Sequence, residues 1–234
     1  MEKDIIFQYT FKFKDRPPKV FKIKLDGTTL NLVNENFESQ PDWTRLKNFK
    51  CPHCPLSEND YEFCPLAVSL ADVIDSFSNM SSYEQIELVI NTEEREFRKE
   101  TSLQDGVRSM LGIKMATCGC PVMGKFKPMA RFHLPFANLE ETQYRYFSMY
   151  MLAQYFIAKR EGKADWEMHE FRNILEDVRV LNLNVSRKVA QIEAKDTTIN
   201  SVVILNNFAD YVSFNLDEQS LNEVEVLFND YFGY

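Results

Sequence analysis

Phe7, Tyr9, Phe11 and Phe13 alternate with Gln8, Thr10, Lys12 and Lys14. A period of two puts the rings on one face of a strand and the polar groups on the other. Beyond Pro17-Pro18, Phe21, Ile23 and Leu25 alternate with Lys22 and Lys24 in the same way. The pattern predicts a β-hairpin with a buried aromatic face and a solvated Lys face. Asp26-Gly27 signals a second turn, and a third strand is expected over residues 28–33. Residues 34–64, with Pro41, Pro52 and Pro55, read as loop-rich.

The period then changes. Pro65 suits the first position of a helix whose apolar stripe is Leu66, Leu70, Val73, Ile74 and Phe77. Residues 86–92 read as a strand paired with 95–99. Ser102 caps a helix to about Met115, with Leu103, Val107, Met110 and Leu111 inward. Residues 116–137 carry three prolines and read as irregular. Asn138 caps the next helix, which Gly162 ends near Arg160. Asp165 caps another, whose stripe runs from Phe171 through Ile174, Leu175, Val178, Leu181, Val185 and Val189 to Ile192, roughly 40 Å. The short link between these two implies an antiparallel αα-hairpin. Two shorter helices are expected, one with Val202, Leu205, Ala209 and Val212, one with Leu221, Val224, Phe228 and Tyr231. The class is α+β: a small N-terminal antiparallel sheet (1–50), a cysteine-bearing middle segment (51–137) and a C-terminal helical bundle (138–234), in one continuous compact unit.

Composition narrows function. With 19 Phe and 10 Tyr in 234 residues, the chain has material for a sizeable core. The net charge of −8 removes the global basic field that nucleic-acid binding needs. Charge is uneven: residues 1–26 carry seven Lys/Arg against four Asp/Glu, and residues 196–234 carry seven Asp/Glu and no Lys/Arg. Two solvated faces are the plain reading; the alternatives are that the two ends pack together or that a charged partner, an unknown protein, meets one face. Residues 144–158 are the most apolar stretch, 12 of 15, but Arg145, Ser148 and Gln154 interrupt it. It is too short to span a bilayer and reads as a buried helix. The N-terminus has no cationic region leading into an apolar one, so the cytoplasm is expected.

The chemistry lies in the cysteines. Cys51, Cys54, Cys64 and Cys120 are each followed by Pro; Cys118 is not. A Pro after a metal ligand starts a tight turn that aims later backbone N–H groups at the sulfur. Cys64, just before a helix, lies where the dipole favours a thiolate. Two residues between Cys51 and Cys54 let both sulfurs face one ion. A four-thiolate site of Cys51, Cys54, Cys64 and Cys120 is therefore expected. Zinc ranks ahead of a 4Fe–4S cluster, since the close ferredoxin spacing is absent. His53 reads as a turn residue, and His133 as a structural histidine, a substitute for one thiolate or, with Arg131, part of a substrate segment. No catalytic set is assigned. Gly119–Phe126 resembles a phosphate-binding loop but ends in Phe126 where Ser or Thr should hold Mg²⁺. His169-Glu170-Phe171-Arg172-Asn173 lacks the second His of a zincin helix. The function expected is a metal-stabilised binding or regulatory protein; the alternatives are an iron–sulfur redox or sensor protein, or an enzyme using Arg131/His133.

The runs Cys-Pro-His-Cys-Pro-Leu, Phe-Cys-Pro-Leu-Ala, Thr-Ser-Leu-Gln-Asp-Gly, Cys-Gly-Cys-Pro-Val-Met and Arg-Phe-His-Leu-Pro-Phe resemble a bacterial family of unknown function, over roughly residues 45 to 234. In that pattern Ser commonly stands at the position of Cys118. The resemblance thus implies that Cys118 is a spare thiol and brings no activity.

Overall fold

The computed structural model describes residues 3–33, 40–192, 196–214 and 224–233. Strands β1 (Ile5–Lys12) and β2 (Lys19–Leu25) form the hairpin, with Phe7 opposite Ile23 and Tyr9 opposite Phe21. Strand β3 (Gln85–Asn91) pairs with the other edge of β1, Phe11 facing Leu88, and β4 (Glu96–Ser102) closes the sheet. The order is β2-β1-β3-β4, all antiparallel.

The third strand expected over 28–33 does not form. The Asp26 carboxylate accepts from the N–H of Thr28 and Thr29 and from the Thr29 hydroxyl, and Leu30 turns left-handed at φ 57°. An Asp that captures the amides two and three residues on offers the backbone a turn in place of a ladder. One bridge, Leu25 to Leu32, remains, and the Leu32 N–H donates to the Thr117 carbonyl.

Short helix α1 (Leu46–Phe49) precedes the first cysteines, and α2 (Pro65–Phe77) follows them. The whole predicted stripe of α2 is buried, and Phe77 lies 5.0 Å from Phe11 and 5.4 Å from Phe21, ring to ring. Helix α3 (Leu103–Thr117), capped by Ser102, packs on the same sheet face. There a Cβ on Gly106 would stand 3.1 Å from Ile86 and Phe11 and 3.2 Å from Leu88. The missing side chain is what lets the helix approach so closely.

The region expected to be irregular holds a 3₁₀ turn (Met123–Phe126) and a short α4 (Lys127–Arg131). Helix α5 (Leu139–Glu161) has a full capping box between Asn138 and Glu141 and ends on left-handed Gly162. It is not the buried helix expected of its apolar stretch. Gln143, Phe147, Tyr150 and Gln154 are buried, whereas Leu152 is 56% and Phe156 50% exposed. Apolar residues circle this helix, and only one side meets the bundle. Helix α6 (His169–Val189) begins later and ends sooner than expected, spanning about 31 Å at 1.5 Å per residue. Asp165 still serves its start, accepting from the N–H of His169 (3.1 Å) and Glu170 (2.7 Å). Phe171 is the meeting point with α5, its ring 4.7 Å from Tyr150 and 6.3 Å from both Tyr146 and Phe147.

Helix α7 (Thr197–Phe214) packs across α6 and α3 with Val202, Ala209 and Val212 buried. The last helix expected is instead a 3₁₀ turn (Val226–Phe228) and a short α8 (Asn229–Phe232), with Tyr231 85% exposed; Leu221 lies outside the described residues. One buried apolar cluster runs from Phe7 to Val212. Among the described residues no helix is long and apolar enough to cross a membrane. The basic N-terminal segment pairs locally: Lys3 with Glu93, Lys12 with Glu87, Arg16 with Glu84 and Lys24 with Asp4.

Candidate functional site

Cys51, Cys54, Cys64 and Cys120 line one cavity, closed by Pro55, Pro65, Pro121 and Leu181 among others. Its volume of about 10 Å³ is the room of a single water or ion. Three separate stretches of chain bring the sulfurs there. Cys51 and Cys54 lie on a turn closed by the Cys54 N–H donating to the Cys51 carbonyl at 3.1 Å. Cys64 is the N-cap of α2, held by its own N–H to the Thr44 carbonyl at 2.8 Å. Cys120 leads into the turn after α3.

Each Cys-Pro unit at the last two positions does what the sequence predicts. The backbone N–H groups of Leu66 and Ala67 reach the Cys64 sulfur, and those of Val122 and Met123 reach the Cys120 sulfur. The donors stand two and three residues past the cysteine in both cases, so the two turns are equivalent. Asn184 of α6 donates to the Cys51 sulfur at 3.3 Å, a contact from a distant helix that no spacing rule reveals.

The acidity of Cys64 differs from expectation. Its N–H partners pull the thiol pKa down as a helix N-terminus should, but burial outweighs them and pushes it up to about 11. Burial and then the neighbouring Cys64 push Cys51 up to about 12, and burial raises Cys120 as well. Without a cation, these are protonated thiols at neutral pH. Among the described residues no group of three or more His, Cys, Asp or Glu is arranged to hold a metal ion as it stands. The sulfurs thus share a cavity without forming a coordination shell.

Cys118 lies beside the set without lining the cavity: burial, then the neighbouring Cys120, pushes its thiol up to about 12, and Cys64 adds to the shift. Its thiol donates to the Met115 carbonyl at 3.2 Å. His53 sits in the turn between Cys51 and Cys54 but is also absent from the lining; both its ring nitrogens are shielded from solvent and without a hydrogen-bond partner.

His133 lies elsewhere, with Nε2 2.7 Å from the Tyr9 hydroxyl. It borders a cavity of about 120 Å³ that also meets Arg108, Arg145 and Asn182. Burial first, then the charges of Arg145 and Arg108, holds the imidazole pKa down at about 3. Arg131 is exposed, on an outer groove that it shares with His133. Arg108 and Arg145, not singled out from the sequence, are the cations beside this ring. Arg145 was legible in one respect, as the charge that interrupts the most apolar stretch.

A family described as Domain of unknown function (DUF6901) matches residues 7–229. No curated protein and no solved structure matches the chain.

Proposed function

The chain belongs to the DUF6901 family, which carries no assigned activity, and we propose from its own residues that it is a cytoplasmic metal-stabilised binding or regulatory protein. Cys51, Cys54, Cys64 and Cys120 hold one zinc ion as thiolates. The observation that carries this reading is the convergence of four Cys-Pro sulfurs, from three stretches of chain, on one ion-sized cavity. Two features support it. The paired N–H donors at Cys64 and Cys120 favour thiolate over thiol. Asn184 supplies a further donor behind Cys51. A cation that displaces the thiol protons would draw the sulfurs from a shared cavity into a tetrahedral shell.

The cavity volume favours zinc over a four-iron cluster, because about 10 Å³ accepts one ion and a cube of four irons does not fit without wider rearrangement. The ion ties the loop before α2 to the turn after α3, with α6 behind it, and so sets the position of the segment that leads to His133. Elemental analysis of the natively purified chain should find about one zinc per chain. Cys120→Ser should remove it and lower the melting temperature by many degrees. A metal-free native preparation whose Cys120→Ser variant melts unchanged would overturn the proposal. A brown anaerobic preparation would replace zinc by the cluster.

A further inference from the structure

On a different face of α6 from the sulfurs, the 120 Å³ cavity has the features of a ligand pocket. Leu181 faces the cysteine cavity, and the next residue, Asn182, faces this one. An engineered apolar cavity of about 150 Å³ holds a benzene, so the space suits a group of about six or seven non-hydrogen atoms. Much of the wall is apolar, including Met115, Phe126 and Val178. Two guanidinium groups, Arg108 and Arg145, reach the wall, and no carboxylate side chain lines it among the described residues. Their nearest acids are outside: Asp105 Oδ1 is 3.6 Å from Arg108 Nε, and Glu141 is engaged in the α5 capping box. Arg145 is anchored through Nη2, which donates to the carbonyls of Met129 and Phe132. Asn182 is 2% exposed, and its Oδ1 is buried without a hydrogen-bond partner. A buried acceptor left unsatisfied costs about 1–3 kcal/mol, which a ligand hydroxyl or N–H would recover. His133, Leu134 and Arg145 border both this cavity and the outer groove, and so mark the way in.

We propose that this pocket binds a small carboxylate with an apolar body and one hydrogen-bond donor, the carboxylate on Arg108 and Arg145 and the donor on Asn182 Oδ1. Apolar walls with a few convergent polar groups are the usual form of such sites, and guanidinium groups are the fitting partners of a carboxylate.

Calorimetric titration of the purified full chain tests this with three probes of similar size: 2-hydroxybutanoate, its neutral amide, and butanoate. The expected result is saturable one-to-one binding of 2-hydroxybutanoate, with the amide at least about tenfold weaker. Butanoate should bind more weakly than the hydroxy acid, and Asn182→Leu should erase that preference while butanoate still binds. Arg108→Gln should weaken both acids at least about tenfold. Binding should also shift the His133 ring signals in NMR spectra. Acid and amide binding alike, no binding of either acid up to about 10 mM, or acids unaffected by Arg108→Gln would each overturn the assignment. The comparison among probes uses the native chain, so it stands even where a variant fails to fold. No cysteine lines the pocket, and zinc content measured on the same preparation by elemental analysis tells a failure of this pocket from a failure of the metal site.

Discussion

Lowering the pH from 7.5 to 5 is expected to cost the fold about 2 kcal/mol through His133 alone. The ring packs against Tyr9, Phe7 and Ser109 beside the inner cavity, with Arg108 and Arg145 as its charged neighbours. Burial and those two cations keep the folded-state pKa at about 3, against 6.5 for a free histidine. Below pH 6.5 the unfolded chain takes up a proton that the native ring refuses. Stability therefore falls as pH drops from about 6.5 toward 3 and is insensitive to this group above that window. At 1.36 kcal/mol per pKa unit, the loss reaches about 2 kcal/mol at pH 5 and about 5 kcal/mol below pH 3. His133→Gln keeps an acceptor near the Tyr9 hydroxyl but cannot titrate. Urea unfolding of both proteins at pH 7.5 and pH 5 isolates the effect, because all other titrating groups cancel in the difference. The native chain should lose about 2 kcal/mol more than the variant. Equal losses, or a His133 ring that titrates near pH 6.5 by NMR, would refute the reasoning.

Truncating Phe171 to Ala removes the ring on which Tyr146, Phe147 and Tyr150 converge and should destabilise the fold by about 3–5 kcal/mol, read as a lower urea midpoint. Gly106→Val should be destabilising by about 1–3 kcal/mol or more, since Ile86, Phe11 and Leu88 already crowd the position of a Cβ. On the same helix Gly112→Ala meets no atom within 4 Å and should gain about 0.5–1 kcal/mol by thermal or urea unfolding. Cys118→Ser should leave zinc content unchanged while Cys64→Ser abolishes it; equal loss in both would contradict the choice of ligands.

Much of the architecture was legible because it rests on local signals. The period-two rings of β1, the Pro65 start and stripe of α2, the Ser102 cap and the Asn138–Gly162 bracket of α5 each appear where the pattern puts them. The misses share a cause, a local side chain or a tertiary surface that hydrophobic spacing does not encode. Asp26 captured the amides a third strand would have used. Helix α5 is apolar nearly all round, so its composition could not say that only the face of Phe147 and Tyr150 would be covered. The repeated Cys-Pro unit marked Cys51, Cys54, Cys64 and Cys120, which line one cavity, but it encodes only the local turn and not how three separate stretches of chain meet. Asn184 and Asn182 gave no such sign; a polar residue beside a helical stripe reads the same in solvent as against a buried sulfur or cavity. The helix-dipole argument for Cys64 had the right direction but omitted the larger effect, desolvation.

X-ray absorption at the zinc edge, on protein purified without added metal, reaches the central claim most directly. A single shell of four sulfur atoms at about 2.3 Å, lost together with the zinc in Cys120→Ser, is the expected spectrum. A shell dominated by oxygen or nitrogen at about 2.0–2.1 Å, or a preparation with no zinc to absorb, would contradict it.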